Sequence, residues 1–125
     1  MGQKKRIVIV DDDVSLSGMA KAVLEKVGHY EVEVCNRSSE ALEVIRGKKP
    51  DLILLDVMMP EIDGPEIASK LREDKALSAI PVIFLTSLVS QSEASHESSI
   101  GGYPFIAKPV AGEELVKRVR DFLKS

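Results

Sequence analysis

The chain has 125 residues, 44% apolar and 30% charged, with a net charge of −3, which fits one domain around one core, expected over residues 4–124, and lacks the basic footprint that nucleic acid demands. No apolar run approaches the roughly 20 residues needed to cross a bilayer. The basic residues 1–6 lead into an apolar run, residues 7–10, too short for a signal peptide, so a cytoplasmic setting away from membranes is expected.

The hydrophobic period switches repeatedly along the chain. Ile7, Val8, Ile9 and Val10 are β-branched, apolar on both faces and stopped by Asp11-Asp12-Asp13, the pattern of a buried parallel strand. Leu16, Met19, Ala20, Val23, Leu24 and Val27 then recur at helical spacing, and Gly28 is expected to close that helix. Tyr30, Val32 and Val34 alternate with Glu31 and Glu33, which predicts a half-exposed edge strand. The single cysteine, Cys35, ends this strand and cannot form an internal disulfide; buried packing is its expected role. Ser38 or Ser39 is placed to cap a helix carrying Ala41, Leu42 and Ile45.

The second half repeats the rhythm. A fully apolar strand from Leu52 ends at Asp56, and Asp63-Gly64-Pro65 predicts a turn with proline in the first helical positions, leading to Ile67, Ala68 and Leu71. Pro81-Val82-Ile83-Phe84-Leu85 reads as another buried strand, ending at Thr86 and Ser87. Residues 90–99 are serine-rich with poor helix propensity, so a short or mobile helix is expected there. Phe105-Ile106-Ala107 is a short fifth strand before Lys108-Pro109, and Leu115, Val116, Val119, Phe122 and Leu123 form the stripe of a last helix.

Strands alternating with helices call for an α/β fold: a doubly wound, five-stranded parallel sheet covered on both faces. In such sheets ligands bind beyond the carboxyl ends of the strands. Asp11–Asp13 follow the first strand, Asp56 the third, Thr86 the fourth and Lys108 the fifth. With strand order 2-1-3-4-5 these polar ends share one cleft. Crowded carboxylates repel, and a divalent cation together with the Lys108 ammonium would offset this. An all-oxygen donor set suits magnesium, and the absence of histidine and cysteine at these strand ends argues against zinc. A carboxylate is also a nucleophile toward phosphorus, and a cation, a lysine and a hydroxyl are the groups that stabilise a phosphoryl group in transfer.

The sequence resembles the receiver domain of two-component response regulators. The resemblance is carried by Ile7-Val8-Ile9-Val10-Asp11-Asp12-Asp13, by Leu54-Leu55-Asp56-Val57-Met58-Met59-Pro60 with Asp63-Gly64, by Pro81-Val82-Ile83-Phe84-Leu85-Thr86-Ser87, and by Phe105-Ile106-Ala107-Lys108-Pro109. It implies a flavodoxin-like, three-layer receiver fold with sheet order 2-1-3-4-5. It further implies that Asp56 is the phosphoacceptor, that Asp12 ligates Mg2+ (or Mn2+) directly, and that Asp11 acts through water. Asp56 itself and the Met58 backbone carbonyl complete the metal set. Thr86 matches the switch hydroxyl, Lys108 the phosphoryl-binding lysine and Phe105 the switch aromatic, and a cis Lys108-Pro109 bond is implied. The donor would be a histidine kinase or histidine phosphotransfer protein, and the recipient of the signal an unidentified downstream protein or output domain. The chain ends just after the last helix, so it is expected to be either a stand-alone receiver or a piece of a larger protein.

Other readings of single residues carry less. Asp13 is expected as a turn or cap residue, Met58 and Met59 as packing, and His29 and His96 as surface residues. Gly18, inside the first helix, has no functional account. Apolar Met58 and Leu88, two residues beyond Asp56 and Thr86, predict slow self-dephosphorylation. Two alternatives share the chemistry. The Asp11-Asp12-Asp13-Val14-Ser15 run has the D-x-D shape of haloacid dehalogenase-type phosphatases, distinguished by modification at Asp11 instead of Asp56. A flavin-phosphate module shares the topology, but acidic residues crowd its binding point.

Overall fold

Residues 7–10 are β-branched and apolar on both sides, so they form a strand only where both faces are covered. In the computed structural model, which describes residues 4–87, 102–108, 110 and 112–124, this is the interior strand β1 (Arg6–Val10). The other strands are β2 (Glu31–Cys35), β3 (Leu52–Leu55), β4 (Val82–Thr86) and β5 (Phe105–Ala107). All pairings are parallel, in the order β2-β1-β3-β4-β5. Among the described residues the helices are α1 (Val14–Lys26), α2 (Ala41–Lys48), α3 (Gly64–Glu73) and α4 (Gly112–Lys124). None is long and apolar enough to cross a membrane.

The period of two along each strand divides the core into two layers. Val8, Val10, Ile53, Leu55 and Phe84 pack with Ala41, Ile45, Ile67 and Leu71 of α2 and α3. Ile7, Ile9, Leu54, Ile83 and Leu85 pack with Ala20 and Leu24 of α1 and Leu115, Val116 and Val119 of α4. Register levels the carboxyl ends of the central strands: Val10 faces Leu55, and the Asp56 N–H donates to the Val10 carbonyl at 2.9 Å. On the outer edge, Glu31 and Glu33 of β2 pair with Arg6 and Lys48.

Helix starts follow local chemistry. Asp13 and Asp63 are N-caps whose carboxylates accept from the Leu16 and Glu66 N–H groups. Other expectations are corrected. Helix α1 does close at Gly28, just past its C-cap Val27, but the left-handed residue there is His29, with φ of 61°. A Cβ on Gly28 would lie 2.7 Å from the Tyr30 ring and 2.8 Å from the Leu24 carbonyl oxygen, so glycine is there for close approach. Met19 and Val27 are exposed and do not join the buried stripe. The buried face centres on Ser17, Ala20 and Leu24, because the Ser17 hydroxyl donates to the Asp13 carbonyl and needs no solvent. Neither Ser38 nor Ser39 caps α2: a 3₁₀ turn at Ser38–Glu40 precedes it, without a side-chain cap bond. Phe122 lies towards the surface. Leu88, residues 90–99, His96 and Pro109, with its peptide isomer, lie outside the described residues.

Candidate functional site at the carboxyl ends of the strands

Strand ends place the polar residues. Asp11 follows β1 directly, and its N–H donates to the Cys35 carbonyl at 3.0 Å. The residue is 1% exposed, yet both carboxylate oxygens are engaged. Oδ1 accepts from the Asp13 N–H at 2.9 Å, and Oδ2 accepts from Lys108 Nζ at 2.7 Å. Lys108 is held beside the cleft by its own N–H, which donates to the Thr86 carbonyl at 2.8 Å. Its ammonium lies 3.7 Å from Asp56 Oδ1, so in this state it sits closer to Asp11 than to Asp56.

Asp56 is 8% exposed. Burial, first, and the neighbouring Asp11 charge push its carboxyl up to about 6, against the opposing pull of Lys108. Asp12 is exposed at the rim. One carboxylate oxygen from each of Asp11, Asp12 and Asp56 lies within 4.8 Å of the others. Three carboxylates face one ammonium, so the cluster is short of positive charge. Its donors are all hard oxygens, which fits Mg2+ or Mn2+ and not zinc.

Thr86 ends β4 and is buried at this same end of the sheet, opposite Ala107 in register. Phe105 is also buried, so its ring points into the core in this state. Met58 is 65% exposed, contrary to the packing role expected of it, whereas Met59 is partly buried against the core. The loop between β3 and α3 turns back on the end of β3. Gly64 makes that turn possible: its N–H donates to the Val57 carbonyl at 2.8 Å, and a Cβ there would overlap the Asp56 carbonyl oxygen.

Two contributors are not evident from sequence. The Asn36 side-chain amide donates to the Asp11 carbonyl at 2.7 Å. The Ser38 hydroxyl, buried, donates to the Pro60 carbonyl at 2.5 Å. A serine pair ahead of an apolar helix reads as a cap, and nothing local signals a partner 22 residues away.

The response regulator receiver domain family matches residues 7–120. The chain belongs to that family. Receiver domains are the phosphorylation switches of two-component systems, and this one has their five-stranded fold. The phosphate regulon transcriptional regulatory protein PhoB of Pseudomonas aeruginosa is 37% identical to it over 120 residues, 96% of this chain and 52% of that protein. Response regulator Rre1 of Synechocystis is 31% identical over 123 residues, 98% of this chain and 53% of that protein. This receiver domain thus spans about half the length of the curated relatives it matches. Among solved structures, chemotaxis response regulator CheY4 of Vibrio cholerae superposes with a TM-score of 0.82 at 28% identity, covering 97% of this chain and all of that one (100%). A response regulator from Desulfuromonas acetoxidans gives 0.81 at 29% identity, over 96% and 97%.

Proposed function

We propose that Asp56 accepts a phosphoryl group from a phosphohistidine donor, and that residues 4–124 act as the switch this modification drives. The observation that carries the reading is the Asp56 carboxylate at the end of β3, with Lys108 Nζ 3.7 Å away and the Asp11 and Asp12 carboxylates within 4.8 Å. With a carboxyl value of about 6, Asp56 is mostly ionised at neutral pH, so an oxygen lone pair is available to attack phosphorus. The new O–P bond forms as the donor's P–N bond breaks, and the imidazole leaves with that electron pair.

Mg2+ (or Mn2+), held by Asp12, Asp56 and the Met58 carbonyl and through water by Asp11, would neutralise charge on the transferring group. Lys108 exchanges its contact with Asp11 for one to a phosphoryl oxygen, a stronger partner for a point charge. The Thr86 hydroxyl donates to a second oxygen. Phe105 is already buried, so an inward movement of its ring is not the step that phosphorylation drives; the population shift rests on the new partners of Thr86 and Lys108. Exposed Met58 hinders attacking water. Its replacement by a polar residue shortens the phosphoryl lifetime, read as the rate of phosphate release; an unchanged rate contradicts that role.

A histidine kinase or phosphotransfer protein in the cytoplasm supplies the phosphoryl group. The signal passes to an output domain or separate protein. The names of relatives such as PhoB support a transcriptional output for proteins of this kind. The domain thereby promotes its own phosphorylation and dephosphorylation without turning over an external substrate. Reduction with borohydride after treatment with acetyl phosphate and Mg2+ tests the reading. It converts an aspartyl phosphate to homoserine, which peptide mapping should find at position 56. Homoserine at position 11 instead would move the nucleophile to the first strand.

A further inference from the structure

The connection between β2 and α2 touches both acidic loops at once. From Asn36, the side-chain amide donates to the Asp11 carbonyl at 2.7 Å and to Ser17 Oγ at 2.9 Å. From Ser38, the buried hydroxyl donates to the Pro60 carbonyl at 2.5 Å and accepts from the Ile62 N–H at 3.1 Å. The Ile62 N–H also reaches the Pro60 carbonyl at 3.0 Å, which closes a three-residue turn around Glu61. Glu61 has φ of 76°, the rarer and strained hand of such a turn for a residue with a side chain. Ser38 thus holds both ends of a strained turn, using its donor and a lone pair together.

That turn begins two residues beyond Met58. Strain at a loop persists only where surroundings over-determine it, and here the buried Ser38 hydroxyl supplies side-chain bonds to both ends of the turn. A helix cap would account for Ser38 without reference to the site, but the N-cap of α2 is Glu40, and the Ser38 hydroxyl bonds to Pro60 and Ile62 instead.

We infer that Ser38, assisted by Asn36, is a positioning residue for the cation site. It fixes the β3–α3 loop, and with it the Met58 carbonyl, against the β1 loop that carries Asp11 and Asp12. The inference rests on the reading of Met58 and the aspartates as the metal set. Groups that orient metal ligands without touching the ion typically change affinity by about 10–100-fold when removed.

The test is Mg2+ titration of the full chain by calorimetry, on wild type, Ser38→Ala and Ser39→Ala, with thermal melting of each in chelator. Ser38→Ala should bind Mg2+ about 10-fold more weakly, and exposed Ser39→Ala should match wild type. A folded Ser38→Ala with wild-type affinity overturns the inference, even if its melting temperature falls, because Ser38 is then purely structural. Should Ser38→Ala not fold, amide exchange of metal-free wild type decides. The Ile62 N–H should be protected, and exchange as fast as that of exposed Glu61 overturns the clamp. Wild type that binds no Mg2+ overturns the metal reading itself, and is distinguished by failing before any variant is compared.

Discussion

Asp56, buried beside another carboxylate, carries a cost in stability. Its carboxyl is held at about 6, against 3.8 for the free group, chiefly by burial and by Asp11. Between those values the folded chain keeps a proton that the unfolded chain releases. The contribution of Asp56 to stability therefore falls as pH rises from about 4 to about 6, then levels off. The difference corresponds to about 3 kcal/mol. In chelator, Asp56→Asn should be more stable than wild type by about 3 kcal/mol at about pH 7, with the gap closing by about pH 4. Urea unfolding of both proteins across that range checks it; a gap independent of pH would show that Asp56 does not titrate as described. At this scale the aspartates were legible, because each follows an apolar strand directly. Ser38 was not, because its partners Pro60 and Ile62 belong to another loop.

Helix α1 shows what a hydrophobic period does and does not specify. The spacing of Leu16, Ala20 and Leu24 announces the helix, and Asp13 announces its start. The period cannot foresee that a serine, Ser17, occupies the buried face once its hydroxyl is satisfied within the turn, leaving Met19 65% exposed. The two glycines of this region differ for a related reason, the space each faces. Gly18 is exposed, and a Cβ there would meet nothing within 4 Å, whereas a Cβ on Gly28 meets Tyr30 and Leu24. Gly18→Ala should stabilise the protein by roughly 1 kcal/mol, through helix propensity alone. Gly28→Ala should destabilise it, because the ring and the carbonyl must both move. Thermal melting of the two variants distinguishes them, and equal shifts of the same sign would contradict this account of Gly28.

Across the whole molecule, the alternation of Glu31 and Glu33 with apolar residues in β2 suits an edge strand, and β2 lies at one edge of the order β2-β1-β3-β4-β5. That order brings residues 11, 56, 86 and 108, from four separate strand ends, to one end of the sheet. The Lys108–Asp11 contact spans 97 residues, a distance at which sequence shows residue types but not which carboxylate the ammonium chooses. A buried carboxylate, an ammonium 3.7 Å away and a cluster of three aspartates at one end of the sheet together support the proposal that Asp56 carries the phosphoryl group. Intact mass after incubation with acetyl phosphate tests it most directly, on wild type and Asp56→Asn, with Mg2+ and with chelator. Wild type should gain one phosphoryl group with Mg2+ and none in chelator, and Asp56→Asn none in either. Equal phosphorylation of Asp56→Asn would contradict the account.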